Sequence, residues 1–433
     1  MINKKLVSED TLDFQKILLN YIKYDKDTNT KIISNINFKE LLLNTSSSSH
    51  HEVDEQGKYL NQLELDNNII ENNISHKIEN IIFQNCDFSQ LAIGILNCNI
   101  QFKDCNIEYF TIANIEYTPS ESYTINIDCA RITTININSK DIIHKLYFNK
   151  YRESNKQEMT VDYLFINNVI FHENFKLHNC VIEAFEMNDT DFMKNADFFM
   201  SVFKNGTLVE SKKENISKDD IGFKAINFES LALFGDTEFH KKLIFKYVTF
   251  KGHNHFKSAL LHKGLDLEYT NIQNEMNFYG LTILDTSTTS QETYRIIKHQ
   301  FEKLGNKIEA NKYHALELNQ RRKNLQEEEK SFSNCLDRIV FFFHHWSSWH
   351  STNWAFPLFW IIILSIVTHF LVDNLVCYKC THHSSWLDYF RYMSIVNLDD
   401  CLKYNPLIFL FNKVTLGYLY YQFLTSVRKD TRK

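Results

Sequence analysis

Between residues 223 and 283, large apolar side chains return on a schedule that few folds can use. Phe223, Phe234, Phe245, Phe256, Leu267 and Phe278 recur at one constant interval of eleven, and so do Phe228, Phe239, Phe250, Leu261, Ile272 and Ile283. Together the two series step by five, then six, repeatedly. Two positions before each member stands a second, often smaller side chain. Ala232, Leu243, Asn254, Leu265 and Met276 precede the first series; Ile226, Thr237, Val248, Ala259, Thr270 and Leu281 precede the second. A period of eleven also suits a right-handed helical supercoil. Residues five apart on an α-helix differ by about 140° in direction, however, so the two series could not share one stripe. The composition of the stretch, rich in Phe, Thr, Asn and Ile, favours extended backbone. A solenoid explains the spacing: each step is a short extended face plus a turn, with the large residue and the one two earlier both pointing inward.

A looser form of the pattern runs upstream. Ile81-x-Phe83-x-x-Cys86-x-Phe88 recurs as Ile100-x-Phe102-x-x-Cys105-x-Ile107. Phe165, Phe171, Leu177, Ile182, Met187, Phe192, Phe198 and Phe203 follow in steps of five or six. Residues 117–160 and 205–221 read as insertions or irregular coils. Cys86, Cys98, Cys105 and Cys180 mostly take the small inward position and are expected to be core thiols. These small-x-large units, strictest at Cys86-Asp-Phe88, Cys98-Asn-Ile100 and Cys105-Asn-Ile107, resemble divergent pentapeptide repeats. That resemblance implies a right-handed quadrilateral β-helix over residues 80–289.

Residues 1–79 are polar and Asn-rich. Leu12, Phe14, Ile17, Leu18 and Tyr21 predict one short amphipathic helix, and 45–51, with His50 and His51, reads as a low-complexity linker. After the repeat, residues 290–330 predict a helical hairpin, a neck that caps the solenoid end. Ser290 is its N-cap. Ile297, Phe301 and Leu304 form one stripe up to Gly305, and Ile308, Ala315, Leu316 and Leu325 form the second.

Residues 331–433 predict a membrane domain. Residues 354–372 contain no Asp, Glu, Lys or Arg, and a helix of that length spans roughly 28 Å, close to the hydrocarbon core. A weaker span covers 407–427, with Asn412, Lys413 and Gln422 inside it. Residues 336–350 predict an interfacial helix, and Trp346, Trp349 and Trp354 suit the headgroup level. Charge agrees with this division: residues 1–79 carry −4, 80–289 carry −7 and 290–433 carry +5. Cations flank the spans outside the 373–405 loop, so both termini are expected in the cytoplasm. The stretch from Tyr294 to Tyr313, followed by two spans and Gly417-Tyr-Leu-Tyr-Tyr-Gln-Phe, is similar to bacterial pentapeptide-repeat membrane proteins. This implies an inner-membrane, multi-pass location. Some members of that group carry a two-span ion-channel module, but a Thr-Val-Gly-Tyr-Gly filter is missing here.

Few residues point to chemistry. Cys377, Cys380, His382 and His383, with Cys401 as a further candidate, have metal-ligand spacing; a disulfide and packed thiols are the alternatives, and no metal is assigned. His369, Lys413 and Gln422 are intramembrane polar candidates. Phosphate-loop, His-Glu-x-x-His and Gly-x-Ser-x-Gly motifs are missing, so no catalytic residue and no cofactor is expected. The expected role is a non-enzymatic, membrane-anchored β-helix that presents a rigid cytosolic surface to a protein partner. The expected partners are the lipid bilayer and a cytosolic protein, with no nucleic acid. An oligomeric pore, gated by the β-helix and lined by His369, Lys413 and Gln422, is the alternative.

Overall fold

A computed structural model describes residues 5–6, 22–25, 27–44, 62–64, 79–94, 96, 98–112, 122–149, 158–207, 217, 219–327, 332–348, 353–375, 389–396 and 406–431. The chain divides into two compact units, 1–289 and 290–433.

The first unit is sheet-rich. Among the described residues its strands form one sheet of 16 and one of 11, and the chain alternates between them. Pairing among the described strands is parallel, apart from the hairpin that joins Ile22–Asp25 to Thr30–Ser34. The ladder register explains the sequence period. Phe223 pairs with Phe245 and Phe228 with Phe250, so one ladder row runs from Phe223 to Phe245 and the interval from Phe223 to Phe234 is half a row. Upstream the row length varies: Phe83 pairs with Phe102 and Phe171 with Phe192, in shorter rows, whereas Phe102 pairs with Ile127 and Phe192 with Phe228, in longer ones. The recurrence of the Ile81 motif at Ile100 is thus a true register.

Strand alternation sends the large residues into one continuous interior. Like residues therefore lie above one another at about the interstrand distance, roughly 4.8 Å. Ring centroids are 4.9 Å apart for Phe198–Phe234, 4.6 Å for Phe234–Phe256 and 5.0 Å for Phe228–Phe250, all stacked. Across the interior the rings meet edge to face, within the first series in Phe223–Phe234 at 5.6 Å and between the two series in Phe228–Phe234 at 6.2 Å. Stacks along the ladder and edges across it are both favourable aromatic geometries. Buried polar side chains at the small inward positions bond to backbone. Thr237 donates to the Phe234 carbonyl at 2.6 Å. Asn254 accepts from the Ala232 amide at 2.8 Å and donates to the Gly252 carbonyl at 2.6 Å.

Turning the chain out of one ladder and into the next requires positive φ at recurring places. Asn35, Asn85, Asp104, Asn179, Met200, Asp236, Ser258 and Gly280 form one such series, and Asn168, Asp189, Ala225 and Tyr247 another. Within the first series the residues are ladder neighbours: Met200, Asp236 and Ser258 donate to the carbonyls of Gly235, Lys257 and Tyr279. Asn, Asp and Gly tolerate this conformation best, which accounts for Asn35, Asn85, Asn168 and Asn179 at these corners.

Several expectations change. Residues 117–160 are not an insertion throughout. The strands Thr124–Asp128, Arg131–Ile137, Asp141–Ile142 and Lys145–Asn149 continue the two sheets. Their interior residues include Ile125, Ile127, Ile132, Ile135 and Ile137, all buried; Ile replaces Phe, so the aromatic signal fades while the alternation persists. Likewise, Val202–Gly206 is a strand, so 205–221 is not irregular at its start. The sheets also begin upstream of residue 80: Ile33 pairs with Phe83 and Phe38 with Phe88. The predicted helix residues up to Tyr21 and the 45–51 linker lie outside the described residues.

The inward cysteines are core thiols. Cys86, Cys98, Cys105, Cys129 and Cys180 are all buried and outside any disulfide. The thiol of Cys129 beside it pushes the Cys105 pKa up, and burial does the same for Cys180, so neither is a reactive thiolate.

One buried histidine makes the first unit acid-sensitive. His144 is 2 % exposed, and its Nδ1 accepts from the Tyr123 amide at 3.3 Å while Nε2 finds no partner among the described residues. Burial pushes its pKa from 6.5 down to about 4. The unfolded chain therefore takes up the proton first, so stability is full above pH 6.5 and falls as the pH drops towards 4. At pH 5 the loss is about 2 kcal/mol. Denaturant titrations at pH 7.5 and 5 should show this loss in the wild type and a smaller one in His144→Phe; equal losses contradict the assignment.

Candidate functional site

The second unit is helical. We label its helices α1 (Gln291–Lys303), α2 (Lys307–Glu327), α3 (Phe332–Ser348), α4 (Ala355–Leu375), α5 (Tyr389–Tyr392) and α6 (Pro406–Thr431). Ser290 caps α1 as expected: its hydroxyl accepts from the Thr293 amide at 3.2 Å. Gly305, at φ +72, ends it in the left-handed conformation that favours glycine.

The seam of the α1–α2 hairpin differs from the predicted stripes. Tyr294, Ile297, Phe301, Ala310, Tyr313 and Leu325 are buried, whereas Leu304 and Ile308 are exposed. Both exposed residues flank the Gly305 turn, beyond the packed seam. Beside the seam lies a charge cluster. Glu317, 9 % exposed in its side chain, accepts from Arg295 at 3.0 Å and from Lys298 at 2.8 Å, with His314 at 3.4 Å. Burial alone would raise the Glu317 pKa. Hydrogen bonds from Lys298 and Arg295 outweigh it and hold the carboxyl below its ordinary range.

Polarity is inverted in the remaining helices. The α4 residues Phe359, Ile362, Ile366 and Phe370 are exposed, as are Leu407, Leu410, Phe411, Val414 and Leu424 of α6. Polar side chains face their neighbours instead. Asn412 donates to Thr368 at 2.9 Å, Ser348 donates to Gln422 at 2.9 Å, and Ser347 lies 3.2 Å from the Tyr418 hydroxyl. On α3 the residues Leu336, Ile339, Val340 and Phe343 form an exposed apolar face at i, i+3, i+4 and i+7. Residues Ala355–Val372 make a helix long and apolar enough to cross a membrane, the one such helix among the described residues. Asn412, Lys413, Gln422 and several tyrosines keep α6 below that standard.

The sequence-predicted site residues fall in different places. Lys413 donates to the Ser394 carbonyl at 2.6 Å. Gln422 is buried against Ser348, and the His369 ring lies 5.7 Å from that of Tyr392. Trp346 and Trp354 are exposed, and the Trp346 ring is 4.0 Å from that of Trp360. Trp349, Cys377, Cys380, His382, His383 and Cys401 lie outside the described residues.

A cluster missed by the sequence reading lies in the first unit. Glu238, His240 and His262 bring one ligand atom each within 4.8 Å of one another. The two histidines are separated by one ladder row, a signal readable only once the row length is known.

No family model, curated protein or solved structure matches the chain.

Proposed function

We propose that the chain is a membrane-anchored, non-enzymatic scaffold. In this reading the two parallel sheets are the faces of a pentapeptide-repeat-like β-helix, right-handed as parallel crossovers almost always are. Parallel in-register rows, such as those from Phe83 to Phe102 and from Phe223 to Phe245, and recurring left-handed corners support it; a longer row, from Phe192 to Phe228, carries an insertion. The anchor is a hairpin of α4 and α6 in the inner membrane, with α3 lying in the interface and both termini in the cytoplasm. A cytosolic protein partner docks on the rigid outer face, where Tyr247 and Tyr269 are exposed with ring centroids 5.7 Å apart. Exposed aromatic residues of this kind are enriched at interfaces.

The observation that carries the anchor is the inverted polarity of α4 and α6. Lipid offers no hydrogen bonds, so polar groups in a span must be satisfied within the protein. Asn412 Nδ2 with Thr368 and Gln422 Oε1 with Ser348 make such bonds inside one chain, although Asn412 Oδ1 and the Ser365 hydroxyl find no partner among the described residues, and the outer faces are apolar.

Side-chain pairing favours an anchor over an oligomeric pore. A pathway lined by His369, Lys413 and Gln422 needs these groups turned to water, yet Lys413 and Gln422 have partners in their own chain. Purified protein in planar bilayers should therefore give no current above that of empty membranes. A robust current abolished by Lys413→Leu would favour the pore.

A further inference from the structure

The cluster in the first unit is built by ladder geometry. Phe239 and Leu261 are fully buried ladder partners. Alternation along the strand then sends their neighbours Glu238, His240 and His262 outward. His240 and His262 follow directly on these partners, and their rings stand 4.6 Å apart. Glu238 Oε1 lies 3.0 Å from His240 Nε2 and 2.6 Å from His262 Nε2. Two imidazole nitrogens and a carboxylate oxygen thus converge on one point of the surface.

Both imidazoles turn their Nε2 to one carboxylate oxygen, which can accept a hydrogen bond from each. One divalent cation replaces both protons, taking the Nε2 lone pairs and the carboxylate charge together. In a tetrahedral zinc site, ligand atoms about 2.0–2.1 Å from the metal are roughly 3.4 Å from one another. The observed spread, within 4.8 Å, is reached from there by small side-chain rotations. These side chains are about one-third exposed, which leaves the fourth position open to water. Lys204, which precedes His240 by one row, is held at 2.6 Å by Glu183, so its charge is partly neutralised.

We infer that Glu238, His240 and His262 form a surface site for one zinc-class divalent cation. The ion links two adjacent ladder rows, and by binding only the folded arrangement it stabilises the sheet. This site is independent of the membrane anchor and of the scaffold reading.

Zinc titration of purified full-length protein tests it, in a Cys377→Ser/Cys380→Ser background that removes the thiols of the other metal-spaced motif. The background protein should bind zinc, and both His262→Ala and Glu238→Gln should weaken one equivalent at least about tenfold, since even outer-shell changes cost roughly 10- to 100-fold. His253→Ala, at an exposed histidine outside the cluster, should leave binding unchanged. All three cluster side chains lie on the outer surface, so circular dichroism of the variants should match the parent. No zinc bound by the background protein overturns the inference, as does equal binding by His262→Ala and Glu238→Gln.

Discussion

Phe234→Ala is expected to destabilise the first unit by about 3–5 kcal/mol, the usual cost of emptying a packed aromatic site. The ring is fully buried. It stacks on Phe198 and Phe256 along the ladder and meets Phe223, Phe228 and Phe245 edge-on at 5.6, 6.2 and 5.8 Å. Few of these neighbours can collapse into the cavity, because each is held by its own ladder pairing above and below. The matching control is Phe199→Ala, whose ring is exposed on the outer face and whose loss should cost under about 1 kcal/mol. Denaturant unfolding followed by far-ultraviolet circular dichroism compares the two. Similar small shifts for both variants would contradict a continuous aromatic interior.

The second large effect is expected in the α1–α2 hairpin. Glu317→Ala removes the one carboxylate that Arg295 and Lys298 share and leaves Lys298, 20 % exposed in its side chain, without that counter-ion. Breaking a buried pair from one side typically costs about 3–5 kcal/mol. Arg295 is half exposed and can rehydrate, so about 3 kcal/mol is expected. Glu309→Ala, which removes only a surface pair with Lys312 at 3.4 Å, should cost under about 1 kcal/mol. The pH dependence has a definite sign. Because the folded-state pKa of Glu317 is lowered from 4.5, its contribution is full above that value and is lost as pH falls through the lower one. Acid should therefore narrow the gap between wild type and Glu317→Ala. A gap that widens in acid would reverse the assignment.

Much of this architecture is legible in one dimension because its period is short. Phe223, Phe234 and Phe245 announce both the interior and half of the ladder row. Where Ile125 and Ile127 take over that interior, the same alternation lacks its large marker and reads as irregular chain. The corners are partly legible: Asn35, Asn85 and Asp104 are residues that accept positive φ, whereas Met200, Ala225 and Tyr247 occupy it under ladder constraint alone. Pairing across long separations is not legible at all. Thr368 and Asn412 meet from two helices far apart in the chain, so the polar residues of apolar helices can be listed from sequence but not matched. Glu238, His240 and His262 were hidden for a related reason, since their proximity depends on a row length that only the register supplies.

Membrane topology tests the central claim most directly. Membranes carrying the full chain are washed at alkaline pH, and intact cells are treated with external protease. The account predicts that the chain stays in the membrane fraction and that residues 80–289 remain uncut until the membrane is opened. Release of the intact chain into the wash, or cleavage of residues 80–289 in intact cells, would contradict it.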